Sequence, residues 1–303
     1  LISKIFFSFK EKDGGISLTL TGISYIVGRL VFQPLSFRET IVSEKSVKCN
    51  SPMEKRLKRQ YPKVATLSRT EHRDMVEEIF STIPDRYDFL NHLMSFSMDK
   101  NWRKFTVEKM RFHQSRRFLD IATGTGDLAL AVARTYPDIQ VTGLDFAMEM
   151  MAIGAKKVDS ARLAGRIQFL QGDALQIPFH DNAVDVVAVA FGIRNMPDRK
   201  RALEEMCRVT TPGGQVMVLE MNFPRQSFWA GFYRLYLTWV MPRIAAAFTR
   251  NPGAYRYLGD SIMNFPQPAE FGRLMRDAGL KNIKQYPLTM GTIYLHVGEK
   301  RRP

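Results

Sequence analysis

Three short stretches bring small and acidic residues together in a way that could hold a ligand: L-D-I-A-T-G-T-G-D at 119–127, G-L-D at 143–145 and Q-G-D-A at 171–174. In the first, Thr123, Gly124, Thr125 and Gly126 follow an apolar run, and small residues there let the backbone approach a bound molecule. Asp145 follows about 20 residues later, the spacing at which an acidic residue meets a ribose hydroxyl pair. Asp173 and Ala174 sit in a turn that could present a carboxylate and backbone donors to an adenine edge. Each has an ordinary alternative. A glycine pair after a strand is a common turn, and Asp145 could simply cap the next helix. Three such features at successive strand ends point together to a nucleoside.

Two nucleoside ligands compete, NAD-type dinucleotides and S-adenosyl-L-methionine. The dinucleotide fingerprint needs a third glycine and a helix N-terminus facing a pyrophosphate. Here the run reads G-T-G-D-L-A, with Asp127 where the diphosphate would approach. A carboxylate is unfavourable beside a diphosphate and helpful near a sulfonium or an amino group. The pattern therefore favours S-adenosyl-L-methionine.

The elements that must position these residues follow from periodicity. Met75, Val76, Ile79, Phe80 and Ile83 predict a helix over 70–83, ending before Pro84. Residues 84–103 are polar, aromatic and poorly periodic. Strands are predicted at 117–122, 140–145, 166–173, 183–190 and 215–221, with helices at 127–136, after 145 and at 199–209. T-P-G-G at 211–214 links the last of these helices to its strand. Residues 282–300, split by Pro287 and Gly291, predict two more strands, the last antiparallel. Strands alternating with helices, each strand a near-continuous apolar run, indicate an α/β doubly wound, Rossmann-like sheet. Its ligands sit outside the carboxyl ends of the strands, where the three stretches fall. The expected organisation is one domain over 70–303, with N-terminal lid helices in 70–115.

Composition narrows the field. A chain of 303 residues, 45% hydrophobic and 24% charged, can bury a full core. Two cysteines, Cys49 and Cys207, exclude a disulfide framework and a multi-cysteine zinc site, and a reducing cytoplasm fits. His72, His92, His113, His180 and His296 share no spacing, so no metal site is expected. The net charge of +14 suggests nucleic acid or an anionic membrane, but thirteen basic against five acidic residues in the first 70 leave about +8 of it there. Residues 1–69 are expected to be a basic, disordered or non-native extension, with E-K-R-L-K-R-Q at 54–60 a solvated tail rather than a nucleic-acid groove. Gly14–Gly28 is shorter than the ~20 apolar residues of a spanning helix. The sequence opens on Leu1, and we expect translation to start at Met53.

At this point the chain resembles a family. D-I-A-T-G-T-G-D, G-L-D-F at 143–146, G-D-A at 172–174, F-G-I-R-N at 191–195 and P-G-G at 212–214 resemble the class I methyltransferases, more narrowly the UbiE/MenG quinone-ring C-methyltransferases. Y-D-F-L-N at 87–91, W-R at 102–103, A-Y-R-Y-L at 254–258, S-I-x-x-F-P at 261–266 and L-T-x-G at 288–291 extend the likeness over roughly 70–300. The glycine loop is generic to class I enzymes, whereas F-G-I-R-N with A-Y-R-Y-L is specific to the quinone branch. A-T-G-T-G stands where A-G-G-T-G is common, and Ala190 where a serine often stands.

The resemblance implies methyl transfer from S-adenosyl-L-methionine, leaving S-adenosyl-L-homocysteine, to a ring carbon of a polyprenylated naphthoquinol or benzoquinol. An aromatic carbon is a poor nucleophile unless an ortho hydroxyl is close to deprotonated, so phenolate character must be stabilised. Arg194 is the candidate for that role, with a surface arginine or a structural ion pair as the alternative. Asn195 would orient the substrate or simply end the strand. Tyr87, Asp88 and Asn91 fall in the lid region, where Asp88 could accept a proton, or the group could serve as local caps. Phe228, Phe232, Leu235 and Trp239 form a helical stripe that is either core or a tunnel or membrane-facing patch for a prenyl tail. Further expectations are a cytoplasmic protein at the inner face of the membrane, peripheral membrane contact, a homodimer and no nucleic acid. Other readings are a different small-molecule class I methyltransferase, an NAD(P)-dependent oxidoreductase, and a basic RNA- or membrane-binding module.

Overall fold

The computed structural model describes residues 6–12, 15–21, 25–26, 29–30, 61, 68–82, 84–248, 251 and 253–302, and divides the chain into two units, Leu1–Cys49 and Asn50–Pro303. In the first unit Phe6–Lys12 pairs antiparallel with Gly15–Thr21, Phe6 opposite Thr21, and Tyr25–Ile26 pairs with Arg29–Leu30. The alternation in I-S-L-T-L-T has the two-residue period of a strand, which the tail reading of 1–69 did not anticipate. Met53 and the basic run 54–60 lie outside the described residues.

The second unit is built on seven strands: β1 (Arg117–Ile121), β2 (Gln140–Asp145), β3 (Ile167–Gln171), β4 (Val184–Ala190), β5 (Thr210–Met221), β6 (Leu280–Leu288) and β7 (Ile293–Lys300). Their order across the sheet is 3-2-1-4-5-7-6. The first five run parallel, β7 lies antiparallel between β5 and β6, and β6 is antiparallel to β7. This is the expected α/β sheet with an antiparallel last strand. Central β4 is buried from Val184 to Val189, as a strand covered on both faces must be. Its one charge, Asp185, accepts hydrogen bonds from the backbone N–H of His113, Ser115 and Arg116 at 2.9–3.0 Å, fixing the loop that enters β1. Burial opposes its ionisation, yet these donors hold the carboxyl below the ordinary range.

Helices α1 (Arg69–Thr82), α2 (Pro84–Met94) and α3 (Met98–Glu108) precede the sheet; α4 (Asp127–Thr135), α5 (Met148–Ser160) and α6 (Arg199–Val209) connect its strands. After β5 come α7 (Ala230–Leu235), a π turn over Tyr236–Val240, α8 (Met241–Phe248), α9 (Gly253–Met263) and α10 (Pro268–Asp277). One core packs α6 and α10 on the sheet, around Leu203, Met206 and Phe271. A second packs α3 and α4 on the other face, around Trp102, Leu128 and Val132. A third joins α1, α2, α8 and α9 through Val76, Ile79, Leu90, Met241 and Tyr257.

Four local expectations are refined. Within the region expected to hold lid helices, 84–94 and 98–108 are helical around a turn at 95–97: Pro84 occupies the first position of α2, where its missing N–H costs nothing. Only Leu90 of that helix's central apolar residues is fully buried, while Phe89 is 53% and Leu93 38% exposed, which is why no clean period is visible. T-P-G-G lies inside β5, with a register shift opposite Val184–Val186. Pro287 lies within β6, and the break between the last two strands falls at Thr289–Gly291. The aromatic stripe is on the surface: Phe228 is 90%, Phe232 74%, Leu235 51% and Trp239 57% exposed, so it is neither core nor tunnel lining.

Candidate functional site

A cavity of about 430 Å³ opens at the carboxyl ends of the parallel strands. Ala122 and Gly124 line it after β1, Asp145 at the end of β2, Gly172 to Leu175 after β3, and Gly192 and Asn195 after β4. Met150 of α5 and Val76 and Glu77 of α1 also line it. Two glycines are required by geometry. Gly124 has φ +55° and gives its N–H to Asp145 Oδ2 at 2.7 Å. A Cβ on Gly192 would stand 2.6 Å from the Ala122 Cβ, so the ends of β1 and β4 could not come together.

Asp145 is 6% exposed. Its Oδ1 accepts from Ala147 N–H at 2.9 Å at the start of α5, so it serves as cap and cavity wall at once. Burial raises its carboxyl against the pull of the backbone donors of Ala147, Gly124 and Phe146. Asp173 is exposed, lines the cavity and accepts from Leu175 N–H at 2.8 Å; Ala174 lines it too. With Glu77 there are three carboxylates in the wall and, among the described residues, no Lys, Arg or His. Such a site favours a cation and disfavours a diphosphate.

The remaining cofactor candidates act behind the wall. Thr123 donates to buried Asp120 at 2.8 Å, and Gly126, φ +76°, starts α4. Thr125 donates to Asp88 at 2.6 Å, and Asp88 pairs with Lys157 at 2.9 Å. Asp88 is therefore not a wall residue with a free carboxylate; it ties α2 to the glycine loop and α5. Asp127, which weighed against the dinucleotide, is also removed from the cavity: it pairs with Lys157 and lies 3.8 Å from Arg103. The wall carboxylates now carry that discrimination. Of Tyr87 only the backbone, in α2, is described. His92, Asp99 and Asp127 converge within 4.8 Å, but Arg103 pairs with both carboxylates and supplies the positive charge a metal would bring.

Arg194 and Asn195 lie in a short 3-10 turn, Ile193–Asn195. The Arg194 guanidinium is not in the cavity wall. It donates to Glu220 Oε1 at 2.8 Å and to the Phe191 carbonyl, and its backbone N–H reaches Glu220 Oε2 at 3.2 Å. Both side chains are buried, so the ion-pair alternative is the one observed. Asn195 does line the cavity. Its Oδ1 accepts from the Tyr257 hydroxyl at 3.1 Å, and that hydroxyl lies 3.1 Å from His72 Nε2. With its proton committed to Asn195, Tyr257 must accept from His72, which fixes the Nε2–H tautomer. Burial, then the Arg199 guanidinium, lowers the His72 pKa and keeps the ring neutral, while burial pushes Tyr257 up to about 12. The chain His72–Tyr257–Asn195 fixes the side-chain amide oxygen and turns its N–H₂ away from Tyr257. Glu77, His72 and Tyr257 were not singled out from sequence, although Tyr257 lies within A-Y-R-Y-L.

Known proteins match this arrangement. A UbiE ubiquinone/menaquinone biosynthesis C-methyltransferase from Geotalea daltonii is 42% identical over 232 residues, covering 76% of this chain and 98% of its own. A demethylmenaquinone methyltransferase from Deinococcus radiodurans is 39% identical, covering 75% and 92%. Among solved structures, a SAM-dependent methyltransferase from Thermotoga maritima, described as a possible histamine N-methyltransferase, shares the fold with TM-score 0.53 at 19% identity, covering 74% and 99%. The profile of the ubiE/COQ5 methyltransferase family spans residues 67–300, which include α1 to α3, every wall residue and the last antiparallel strand, and the chain belongs to that family.

Proposed function

We propose that this methyltransferase moves a methyl group from S-adenosyl-L-methionine to a ring carbon of a polyprenylated quinol, the reduced form of a respiratory quinone. The observation that carries the donor assignment is the wall of three carboxylates with, among the described residues, no Lys, Arg or His. Relatives named for ubiquinone, menaquinone and demethylmenaquinone support the acceptor class. Bound there, the donor would supply an electrophilic sulfonium methyl: the sulfur–methyl bond breaks as the new carbon–carbon bond forms, S-adenosyl-L-homocysteine leaves, and the proton displaced from the ring carbon passes to solvent.

The chain's own residues do the rest. Gly124 admits the donor close to the backbone, Asp145 accepts from the ribose hydroxyls, and Asp173 with the Ala174 backbone meets the adenine edge. Glu77, carried by α1, adds negative charge near the positive centre. Asn195 donates its amide N–H₂ to a quinol oxygen, and so stabilises phenolate character as the ring carbon becomes nucleophilic. Tyr257 and His72 fix that amide, sparing its reorganisation at the moment of reaction. The buried pair with Glu220 supports a positioning role for Arg194, which holds the turn that carries Asn195, over direct contact with the phenolate. α1 and α2 exclude water, which strengthens each of these interactions.

The test uses purified full-length protein, labelled methyl donor, and short-tailed naphthoquinol and benzoquinol. Label should enter one of the two, and calorimetry should give binding of S-adenosyl-L-methionine but not NAD. Absence of label transfer to either quinol would overturn the acceptor; heat on NAD addition alone would overturn the donor.

A further inference from the structure

The segment after β5 carries an apolar face that is exposed among the described residues. Its inward side is satisfied: Leu237, Met241 and Ala245 are buried in the third core, and Tyr233 stacks between Phe223 and Tyr236. Across the π turn Leu237 and Met241, one turn apart, both reach the core, while Trp239 and Val240 face outward. The outward face presents the four residues of the stripe, more than half of each in solvent. The end of α2 is tied beside it by the Tyr236 hydroxyl, which donates to the Met94 carbonyl at 2.8 Å, and exposes a further set, Phe89, Leu93 and Phe96.

Charge decides what this face meets. Between Asn222 and Gly259 the sequence has five arginines and no Asp or Glu. Arg225, Arg234 and Arg243 are exposed, and Arg243 lies 4.8 Å over the Trp239 ring, at the edge of the stripe. A second copy docking here about a two-fold axis would set arginines against arginines with no acid from this segment to balance them. The face instead needs a partner that is anionic at its surface and apolar beneath, at the depth of a ring. We propose that it docks this protein on an anionic lipid bilayer, with Phe228, Phe232, Leu235 and Trp239 entering the headgroup–acyl boundary and the arginines meeting lipid phosphates. This deepens the quinol reading, because a polyprenyl tail resides in a bilayer, but vesicle binding is measured without any quinol.

The experiment is co-sedimentation of the full-length protein with vesicles of phosphatidylcholine alone or with added phosphatidylglycerol. Binding should require phosphatidylglycerol and fall with salt. Each arginine near such a surface is worth about fivefold in partition, so Arg225→Gln with Arg243→Gln should weaken binding about 25-fold. Phe232→Ser with Trp239→Ser should weaken it at least tenfold, on the order of the burial of one large ring or more. Circular dichroism and turnover of a short-tailed, water-soluble quinol should not change in either variant. Vesicle binding that these substitutions leave intact, or no binding by the parent, would overturn the inference, and so would a dimer by light scattering that the serine variant converts to monomer. Lost vesicle binding with normal short-tailed quinol turnover supports it. Vesicle binding with the expected sensitivities, but no turnover by the parent, would leave docking standing and sink the quinol reading alone.

Discussion

Replacing Tyr257 by Phe deletes one hydroxyl and, with it, both 3.1 Å links between His72 and Asn195. The ring stays, so packing around Leu90 and Met241 is nearly preserved. Two buried groups lose their partner, Asn195 Oδ1 and His72 Nε2, each costing about 1–3 kcal/mol where water cannot enter. Unfolding free energy should therefore drop by roughly 2–6 kcal/mol. Activity should drop for a separate reason: Asn195 keeps its amide but nothing holds the N–H₂ toward the cavity. We expect kcat to fall about 10–100-fold, less than deletion of a stabilising donor outright. The dissociation constant for S-adenosyl-L-methionine should stay within about twofold, because neither Tyr257 nor His72 is in the wall. His72→Ala should give a smaller loss in kcat, and His72→Gln, which retains an N–H donor, should recover part of it. In the double variant His72→Ala with Tyr257→Phe, kcat should match Tyr257→Phe alone, since the chain is already cut. Steady-state turnover with a short-tailed quinol, calorimetry and urea melts measure all three quantities. Additive losses in the double variant, or a loss of donor affinity as large as the loss in kcat, would refute a chain that acts through Asn195.

Asp145→Ala should weaken S-adenosyl-L-methionine binding by at least about tenfold by calorimetry, since charge-assisted bonds of about 1.5–3 kcal/mol are lost; an unchanged constant would leave Asp145 as a cap only. Arg194→Met strands buried Glu220 and should destabilise by about 3–5 kcal/mol, and adding Glu220→Gln should return much of that in urea melts. If kcat returns with stability, Arg194 is a positioning residue; if kcat stays depressed about 100-fold in the restabilised double variant, the guanidinium acts on the phenolate itself. Asp120, buried beneath the glycine loop, has its carboxyl pushed up by burial to about 7. The folded state then holds that proton more tightly than the unfolded chain, so this contribution to stability is full below about pH 4 and lost as pH rises through 7, roughly 4 kcal/mol in all. Asp120→Asn should flatten the decline in urea midpoint across that interval, and an unaltered slope would show that another group causes it.

The sheet was legible because its central strands are buried on both faces: V-D-V-V-A-V-A can be little else. Of the strand-end residues, Gly124, Asp145, Asp173 and Ala174 line the cavity, while Thr123, Thr125 and Gly126 lie behind it. The lid was not. In α2 the apolar residues Phe89 and Leu93 face outward, as does Phe96 just after it, so the period that reveals a helix dipping into a core is blurred. Asp88 and Asp127 looked like ligand-facing carboxylates because sequence gives their distance from the glycine loop but not the position of Lys157, 30 residues beyond Asp127, which draws both away. Arg194 had the same difficulty, since Glu220 arrives from the next strand. His72 and Tyr257, 185 residues apart, meet only in the folded chain. The first and last partners of a long-range contact carry no local signal.

The position of β7 also bears on how this protein is made. The last strand in chain order is inserted between β5 and β6 rather than added at the sheet's edge. Until it emerges during synthesis, β5 has an open flank, and Met217 and Leu219, buried in the finished sheet, have no cover from Ile293, Leu295 and Val297. A nascent chain that has completed its glycine loop and cavity wall is thus still an unpaired hydrophobic edge, the kind that recruits strands from neighbouring chains. A frameshift or nonsense codon between Pro197 and Ile293 should therefore yield aggregate rather than a partly active enzyme, although every wall residue of the cavity would have been translated.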